Sequence, residues 1–158
     1  MLGLRHGLAK VRPRRKPRWL TYGTSMSIEL RNSDRLPAPQ GFSHASIASP
    51  GRIVHLSGQI GTDADGNHSD GLAAQTDQAM RNIVDALIGV GGSTKDLAKL
   101  TIYVVGWTAA MQGDLFTGLR AAGQVNPIAQ VPITLVGVQS LFLDESLVEI
   151  EAVAVLAN

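Results

Sequence analysis

The order of hydrophobic patterns along the chain predicts an α+β domain, in which two helices cover one face of a mixed β-sheet. Short apolar segments alternate with two longer segments of helical spacing, in the order strand, strand, helix, strand, helix, strand, strand. Glycine or proline stands at the joints between these segments. With 158 residues and 44% apolar side chains, the chain can bury the core of one domain without disulfides or metals.

The first two predicted strands run from Phe42 to Ile47 and from Arg52 to Ser57, with a Ser-Pro-Gly turn between them. The second strand is expected to stop at Ser57-Gly58-Gln59, so that its tip offers backbone N–H groups and a hydroxyl. A polar turn follows. From Leu72 apolar residues recur at helical spacing, until a glycine cluster that begins at Gly89 ends the helix.

The second half of the chain supplies one more helix and three strands. The strands are predicted over Leu97–Val105, Pro132–Val138 and Leu147–Leu156, and the helix over Ala109–Ala122. The last strand carries Glu149 and Glu151 among aliphatic residues. The period of two puts both carboxylates on one face. An unpaired buried carboxylate is costly, so they must face a partner, a cleft or water.

Basic residues concentrate at the amino terminus. Residues 1–25 hold seven of the 14 basic residues and no acid, whereas the chain from Met26 onward has seven basic and 13 acidic residues, a balance of −6. We expect residues 1–25 to be a disordered basic extension and residues 26–158 to form the domain. Three interpretations of the extension stay open: a weak RNA or anionic-surface contact, an organellar presequence, or an upstream extension before a start at Met26.

Two absences narrow the class of protein. The chain has no cysteine, which excludes disulfides, thiolate nucleophiles and cysteine-ligated metals and fits a cytoplasmic location. No apolar run approaches the roughly 20 residues that span a bilayer. We therefore expect a cytoplasmic protein with no membrane partner and no cofactor or metal.

Six segments, in order, resemble those of the Rid family, the reactive intermediate deaminases that are also called the YjgF family. The resemblance covers roughly Met26 to Asn158, and the ordered set is more specific than any one segment. The segments are Gly41-Phe42-Ser43-His44-Ala45, Leu56-Ser57-Gly58-Gln59-Ile60, Ala74-Gln75 through Arg81-Asn82-Ile83, Lys99 through Val104, Val131-Pro132 and Val148 through Ala154. The resemblance implies a chorismate-mutase-like fold and a homotrimer with small-molecule clefts between neighbouring subunits.

The same resemblance implies roles for individual residues. Glu149 matches the glutamate that handles the water attacking an imine carbon, and the interval from Pro132 to Glu149 equals the family's usual one. Ser57 and Gly58 match the ligand-binding turn, and Phe42 stands where many members have a cleft tyrosine. Each of these residues also has a purely structural alternative. Glu149 and Glu151 would be solvated edge-strand glutamates, Ser57 and Gly58 would form an ordinary chain turn, and Phe42 would pack in the core.

Two residues depart from the family pattern. Thr134 replaces the arginine that holds a substrate carboxylate in deaminating members, and threonine cannot form that forked ion pair. Asp114 falls near the position of a family asparagine, and its charge would repel an anionic substrate. We therefore predict an acidic cleft, with Glu149 catalytic and with Phe42, Ser57, Gly58, Asp114 and Thr134 binding the ligand.

Three functions fit this pattern. The first is a hydrolase or deaminase of an imine, enamine or related C–N compound without a carboxylate, with Glu149 handling water. The second is a non-catalytic small-molecule-binding or regulatory trimer. RNA cleavage is the least favoured, because the sequence shows no catalytic histidine pair on a basic surface and a net charge of −6 opposes phosphate binding.

Overall fold

The structure is a computed structural model that describes residues 28–48 and 51–157. The predicted basic extension, residues 1–25, lies outside this range. Six strands and two α-helices are found in the order β1 (Ile28–Arg31), β2 (Ala45–Ala48), β3 (Arg52–Ile60), α1 (Gly71–Gly89), β4 (Leu97–Val105), α2 (Gln112–Val125), β5 (Ile133–Val138) and β6 (Val148–Leu156). Short 3₁₀ turns at Thr94–Asp96 and Ala109–Met111 precede β4 and α2.

The main sheet has four strands in the order β3-β6-β4-β5. The β3–β6 and β6–β4 pairs are antiparallel and the β4–β5 pair is parallel, so the sheet is mixed. β1 and β2 form a separate antiparallel pair. The predicted α+β class with two helices on one face of a mixed sheet is confirmed.

The core lies between the helices and one face of this sheet. Even-numbered residues of β4 and β6 point into it, and they meet the apolar stripe of α1. Ile102, Ile150, Ile83 and Leu87 are almost completely buried there. Each such side chain contributes about 1.5–3 kcal/mol by leaving water. No helix in the described ranges has the length and apolar character needed to cross a membrane.

The two helices approach closely at Gly118. A Cβ atom at this position would collide with the carbonyl oxygen of Ala73 and with the side chain of Thr76, both on α1. The missing side chain therefore lets α2 pack directly on the backbone of α1.

The amino-terminal part of the fold differs from the prediction. The strand predicted over Phe42–Ile47 is β2, which covers only Ala45–Ala48, and its partner β1 was not predicted. Phe42 lies in the loop between β1 and β2, because Gly41 has a φ of 81° and turns the chain. The base of this loop is fastened at His44, whose N–H donates to Oδ1 of Asn32 at 2.9 Å.

Strand β3 is longer than predicted. It does not stop at Ser57 but continues through Gly58 and Gln59 to Ile60. The prediction that Ser57 and Gly58 form the tip of a strand is therefore wrong, because both residues lie inside the strand. The bounds of β4 agree with the prediction, and those of α1, β5 and β6 agree within one residue. Helix α2 begins and ends three residues later than the predicted Ala109–Ala122, and residues 109–111 form a 3₁₀ turn.

Candidate functional site

The sheet has a second face, turned away from the helices, which carries the polar side chains of the central strands. Glu149 lies opposite Tyr103 in the β6–β4 pair, and Glu151 lies opposite Thr101. Thr101 in turn lies opposite Thr134 on β5. We call this surface the outer sheet face. Because β6 is a central strand, the interpretation of Glu149 and Glu151 as edge-strand glutamates is wrong.

A β-bulge interrupts β3 beside these carboxylates. Leu56 pairs with Ala152 and Gln59 pairs with Ile150, so two residues of β3, Ser57 and Gly58, stand opposite one residue of β6. The amide Nε2 of Gln59 donates to the backbone carbonyls of Ser57 and Gly58, each at 3.2 Å. Bulges of this kind redirect side chains and occur often next to active sites.

The carboxylate of Glu149 lies directly against Gly58. A Cβ atom at residue 58 would overlap Oε1, Cδ and Cγ of Glu149, so only glycine leaves room for the side chain in this position. Glu149 is half-buried, whereas Ser57 is exposed. The structure thus brings three of the predicted site residues together in one place.

A tyrosine–glutamate pair extends this group along β4 and β6. The hydroxyl of Tyr103 donates to Oε2 of Glu151 at 2.9 Å. This hydrogen bond, with smaller contributions from burial and from the charges of Glu151 and Glu149, raises the pKa of Tyr103 above its ordinary value. A tyrosine is protonated at neutral pH even at its ordinary pKa, and the raised pKa extends to higher pH the range in which Tyr103 donates this hydrogen bond.

Side-chain amides of α1 fasten the backbone around Glu149. Nδ2 of Asn82 donates to the carbonyls of Ile60 at 3.0 Å and Thr62 at 2.8 Å, and Ile60 is the β3 partner of Glu149. The buried amide of Gln75 donates to the carbonyl of Glu145 at 2.9 Å and accepts from the N–H of Leu147 at 2.8 Å. These contacts fix the end of β3 and the loop that leads into β6.

The loop after β3 is held by its own polar residues. Oδ1 of Asp63 accepts the N–H groups of Asp65 at 3.0 Å and Asn67 at 2.9 Å, and the contacts with Asn67 lower the pKa of Asp63. Nε2 of His68 lies 3.1 Å from Oγ1 of Thr62 and 3.3 Å from the buried Oγ of Ser146. The two loops that flank the candidate site are thereby joined.

The remaining predicted residues do not join Glu149 within one chain. Thr134 is exposed on the outer sheet face, but β4 lies between it and β6. Phe42 lies on the opposite, helix-covered side, where it lines a cavity of about 600 Å³ with Trp107 and Leu135. Asp114 is exposed in the first turn of α2. In residues 28–48 and 51–157 no group of three or more acidic or histidine side chains is placed to hold a metal ion.

Sequence reasoning missed the functions of several residues at this site. Tyr103 lies in the predicted strand over Leu97–Val105, but the residue of β6 that it faces depends on strand pairing, which no local pattern specifies. Gln75 and Asn82 belong to one of the segments that resemble the Rid family, but spacing alone does not reveal which backbone groups they bind.

Comparison with known proteins places the chain in a family. Residues 32–156 match the family model of endoribonuclease L-PSP, which comprises the YjgF and Rid proteins, and the chain belongs to this family. Its fold is the chorismate-mutase-like fold of the group, whose members are generally small-molecule-binding oligomers. A search of curated proteins finds no match.

Solved structures of relatives agree with this assignment. The Rid family protein YyfB from Yersinia pestis is 31% identical, with a TM-score of 0.73, and the match covers 83% of this chain and 100% of that one. TdcF from E. coli, solved with bound serine, is 21% identical with a TM-score of 0.61, over 82% and 99% of the two chains. The YjgF gene product from E. coli is 23% identical with a TM-score of 0.60, over 80% and 98%.

Proposed function

We propose that this protein hydrolyses an imine, enamine or related C–N compound that lacks a carboxylate, with Glu149 as the group that handles water. The observation that carries the proposal is the position of the Glu149 carboxylate against Gly58, within the β-bulge of β3. This position ties the acid to the Ser57–Gly58 backbone, the segment that resembles the family's ligand-binding turn. Membership of the family supports a small-molecule or imine-deaminase type of role.

The reaction requires one acid–base group and one water. Glu149 accepts a proton from the water as the water oxygen bonds to the imine carbon, the electron pair of the C=N bond moves to nitrogen, and protonated Glu149 returns that proton to the nitrogen. The C–N bond of the resulting carbinolamine then breaks as the hydroxyl proton passes to nitrogen, which releases the amine or ammonia and leaves a carbonyl. A positioned general base of this kind contributes about 10²–10⁴-fold to the rate.

The charge of the outer sheet face determines the substrate class. Glu149 and Glu151 contribute two carboxylates, while Thr134 stands in place of the cation that would hold a substrate carboxylate. Lys99 is on the same face, but it lies opposite Val153, four residues from Glu149 and therefore about 13 Å away along β6. We infer that the site favours a neutral imine or a protonated iminium over a carboxylate-bearing one.

Phe42 and Asp114 enter the site from a neighbouring subunit in this proposal. Within one chain they lie on the side of the sheet opposite Glu149. Because members of the family generally form oligomers, a cleft between two subunits lets both halves contribute. The predicted homotrimer belongs to the same proposal and is tested by light scattering.

RNA cleavage is not proposed, despite the name of the family model. Of the three histidines in the part of the chain that the structure describes, His44 fastens the β1–β2 loop and His68 joins two loops. The third, His55, is exposed on β3 and lines a pocket with Lys99 and Glu151, without a second histidine beside it. The acidic balance from Met26 onward also opposes binding of a phosphate backbone.

The test compares two imines that differ only in a carboxylate, each generated in solution immediately before use. We expect the wild-type protein to accelerate hydrolysis of the neutral imine, and Glu149→Gln to lose about 10²–10⁴-fold of that acceleration. Asp85→Asn, which changes an exposed acid on α1, serves as the matched control and should keep the full rate. Equal rates for Glu149→Gln and wild type would remove Glu149 from the mechanism. Binding of small molecules without any turnover, seen as a raised melting temperature, would favour a ligand-binding protein.

A further inference from the structure

A small cavity of about 270 Å³ lies on the outer sheet face, beside the group that contains Glu149 but not lined by it. Val153 forms its floor, and polar side chains of three strands surround that floor. These side chains are His55 on β3, Lys99 and Thr101 on β4, and Glu151 on β6. We call this feature the Lys99–Glu151 cavity.

The strand register fixes the positions of these side chains. His55 and Lys99 both lie opposite Val153, one on each side of β6. Their backbones are therefore about 10 Å apart, since neighbouring strands are separated by about 4.8 Å. Glu151 and Thr101 lie opposite each other, two residues further along the strands. The cavity thus has an ammonium group at one end and a carboxylate at the other.

The two charges do not neutralise each other across the cavity. The ion pairs between residues in the ranges 28–48 and 51–157 are Arg31–Glu29 and Arg81–Asp77, so Lys99 and Glu151 share the cavity without an ion pair. The Tyr103 hydroxyl donates to Oε2 of Glu151 and holds that carboxylate towards β4. Oε1 of Glu151 keeps its capacity to accept a hydrogen bond from a ligand. Lys99, Glu151 and His55 are exposed, so a ligand can reach them from solvent.

We propose that the Lys99–Glu151 cavity binds a small zwitterion of the α-amino acid class, in which one carbon atom carries both an ammonium and a carboxylate. The ammonium donates to Glu151 and to the Thr101 hydroxyl. The carboxylate accepts from Lys99, and the imidazole of His55 provides a second contact on the same side. Hydrogen bonds of this charge-assisted kind are stronger than those between neutral groups.

The arrangement of charge selects a zwitterion over a simple ion. An anion held by Lys99 would be repelled by Glu151, and a cation held by Glu151 would be repelled by Lys99. A zwitterion meets an opposite charge at both ends. The cavity is also smaller than the roughly 300–1,000 Å³ that is usual for sites of drug-sized ligands, which favours a ligand with a short side chain.

This site is separate from the proposed reaction centre. Val153 and Lys99 lie four residues along β6 from Glu149, which is about 13 Å. The inference goes beyond the proposed function and does not depend on it, because it concerns binding without turnover.

A proton NMR titration of the full-length protein tests the proposal with L-alanine as the probe. The Cε1 proton of His55 reports on the cavity, and its resonance is identified by its absence from His55→Gln. We expect L-alanine to shift this resonance in a saturable manner. Propionate lacks the ammonium of alanine and ethylamine lacks its carboxylate, and each should bind about 10-fold or more weakly than alanine. Binding of propionate or of ethylamine as tight as that of alanine, or no shift with alanine, would overturn the proposal.

Variants at the two ends of the cavity identify the groups that bind. Lys99→Gln and Glu151→Gln should each weaken alanine binding by about 10-fold or more, since each removes one charge-assisted contact. Lys95→Gln, which changes an exposed lysine in the 3₁₀ turn before β4, serves as the matched control and should bind alanine as the wild type does. Unchanged affinity in both cavity variants would overturn the assignment.

The binding assay also separates this inference from the proposed function. Glu149→Gln should keep its affinity for alanine while it loses hydrolysis of the neutral imine. An active Glu149→Gln would overturn the proposed function and leave the cavity assignment intact, whereas a wild-type protein that hydrolyses the imine but ignores alanine would overturn the cavity assignment alone.

Discussion

Replacing Gly58 by alanine tests the contact on which the candidate site depends. Gly58 is not one of the glycines with a positive φ, so alanine fits its backbone conformation. The new methyl group would overlap three side-chain atoms of Glu149. These atoms belong to the end of a flexible, half-buried side chain, which can rotate away. We therefore expect the free energy of unfolding to fall by about 1 kcal/mol or less, the cost of a less favourable rotamer.

The effect on activity should be much larger than the effect on stability. A displacement of a catalytic group by about 1 Å costs on the order of 100-fold in rate, and the methyl group forces the carboxylate at least that far. We expect kcat/KM for the neutral imine to fall by about 100-fold in Gly58→Ala. Urea denaturation and the hydrolysis assay on the same preparation measure the two effects side by side.

Two further variants make this prediction specific. Gly118→Ala should affect stability more than activity. Its Cβ would meet the backbone carbonyl of Ala73, and overpacking of this kind lowers the free energy of unfolding by about 1–3 kcal/mol. In the Glu149→Ala background, Gly58→Ala should cause no further loss of activity, since the two residues act through one contact. Full activity of Gly58→Ala, in an assay that still depends on Glu149, would refute the placement of this carboxylate.

Three other predictions follow from the surroundings of the site. Asn82→Ala removes two amide hydrogen bonds to the end of β3 and should lower the free energy of unfolding by about 1–3 kcal/mol in urea denaturation, whereas Asp85→Ala on the exposed side of α1 should have little effect. Glu151→Gln should lower the pKa of Tyr103 towards 10.0 in a UV absorbance titration. The hydrogen bond with Glu151 raises the folded-state pKa of Tyr103. Its contribution to the free energy of unfolding is therefore fully present below the unfolded-state pKa of Tyr103 and is lost as pH rises through the folded-state pKa. Thr134→Arg should increase turnover of the carboxylate-bearing imine by about 10-fold or more, and an unchanged preference would contradict the charge argument.

The elements of the domain were predictable where their patterns are local. β4 has a β-branched, apolar sequence between two breaks, and α1 has a long stripe of apolar residues that ends at glycine. The alternation in β6 also placed Glu149 and Glu151 on one face, as the burial pattern confirms. In each case the residues that decide the structure are neighbours along the chain.

Features that depend on strand pairing were not predictable. The bulge at Ser57 and Gly58 exists because β3 and β6 shift register by one residue, and no local pattern specifies that shift. The partner of β2 was missed because β1 is only four residues long. The separation of Phe42 from Glu149 likewise depends on which side of the sheet a loop crosses.

We expect the β1–β2 pair to open separately from the main sheet, at a lower free energy. It is not a strand neighbour of the main sheet, and the Ser46 hydroxyl, which donates to the carbonyl of Ala98 at 2.7 Å, is one of the links between them. Short paired strands with few buried contacts open at lower free energy than a central sheet. Amide hydrogens of residues 28–31 and 45–48 should therefore exchange faster than those of β4 and β6. The intervening loop carries Phe42, so such opening would withdraw Phe42 from the proposed cleft while Glu149 on β6 stays in place. In that proposal, ligand entry does not require the core to open.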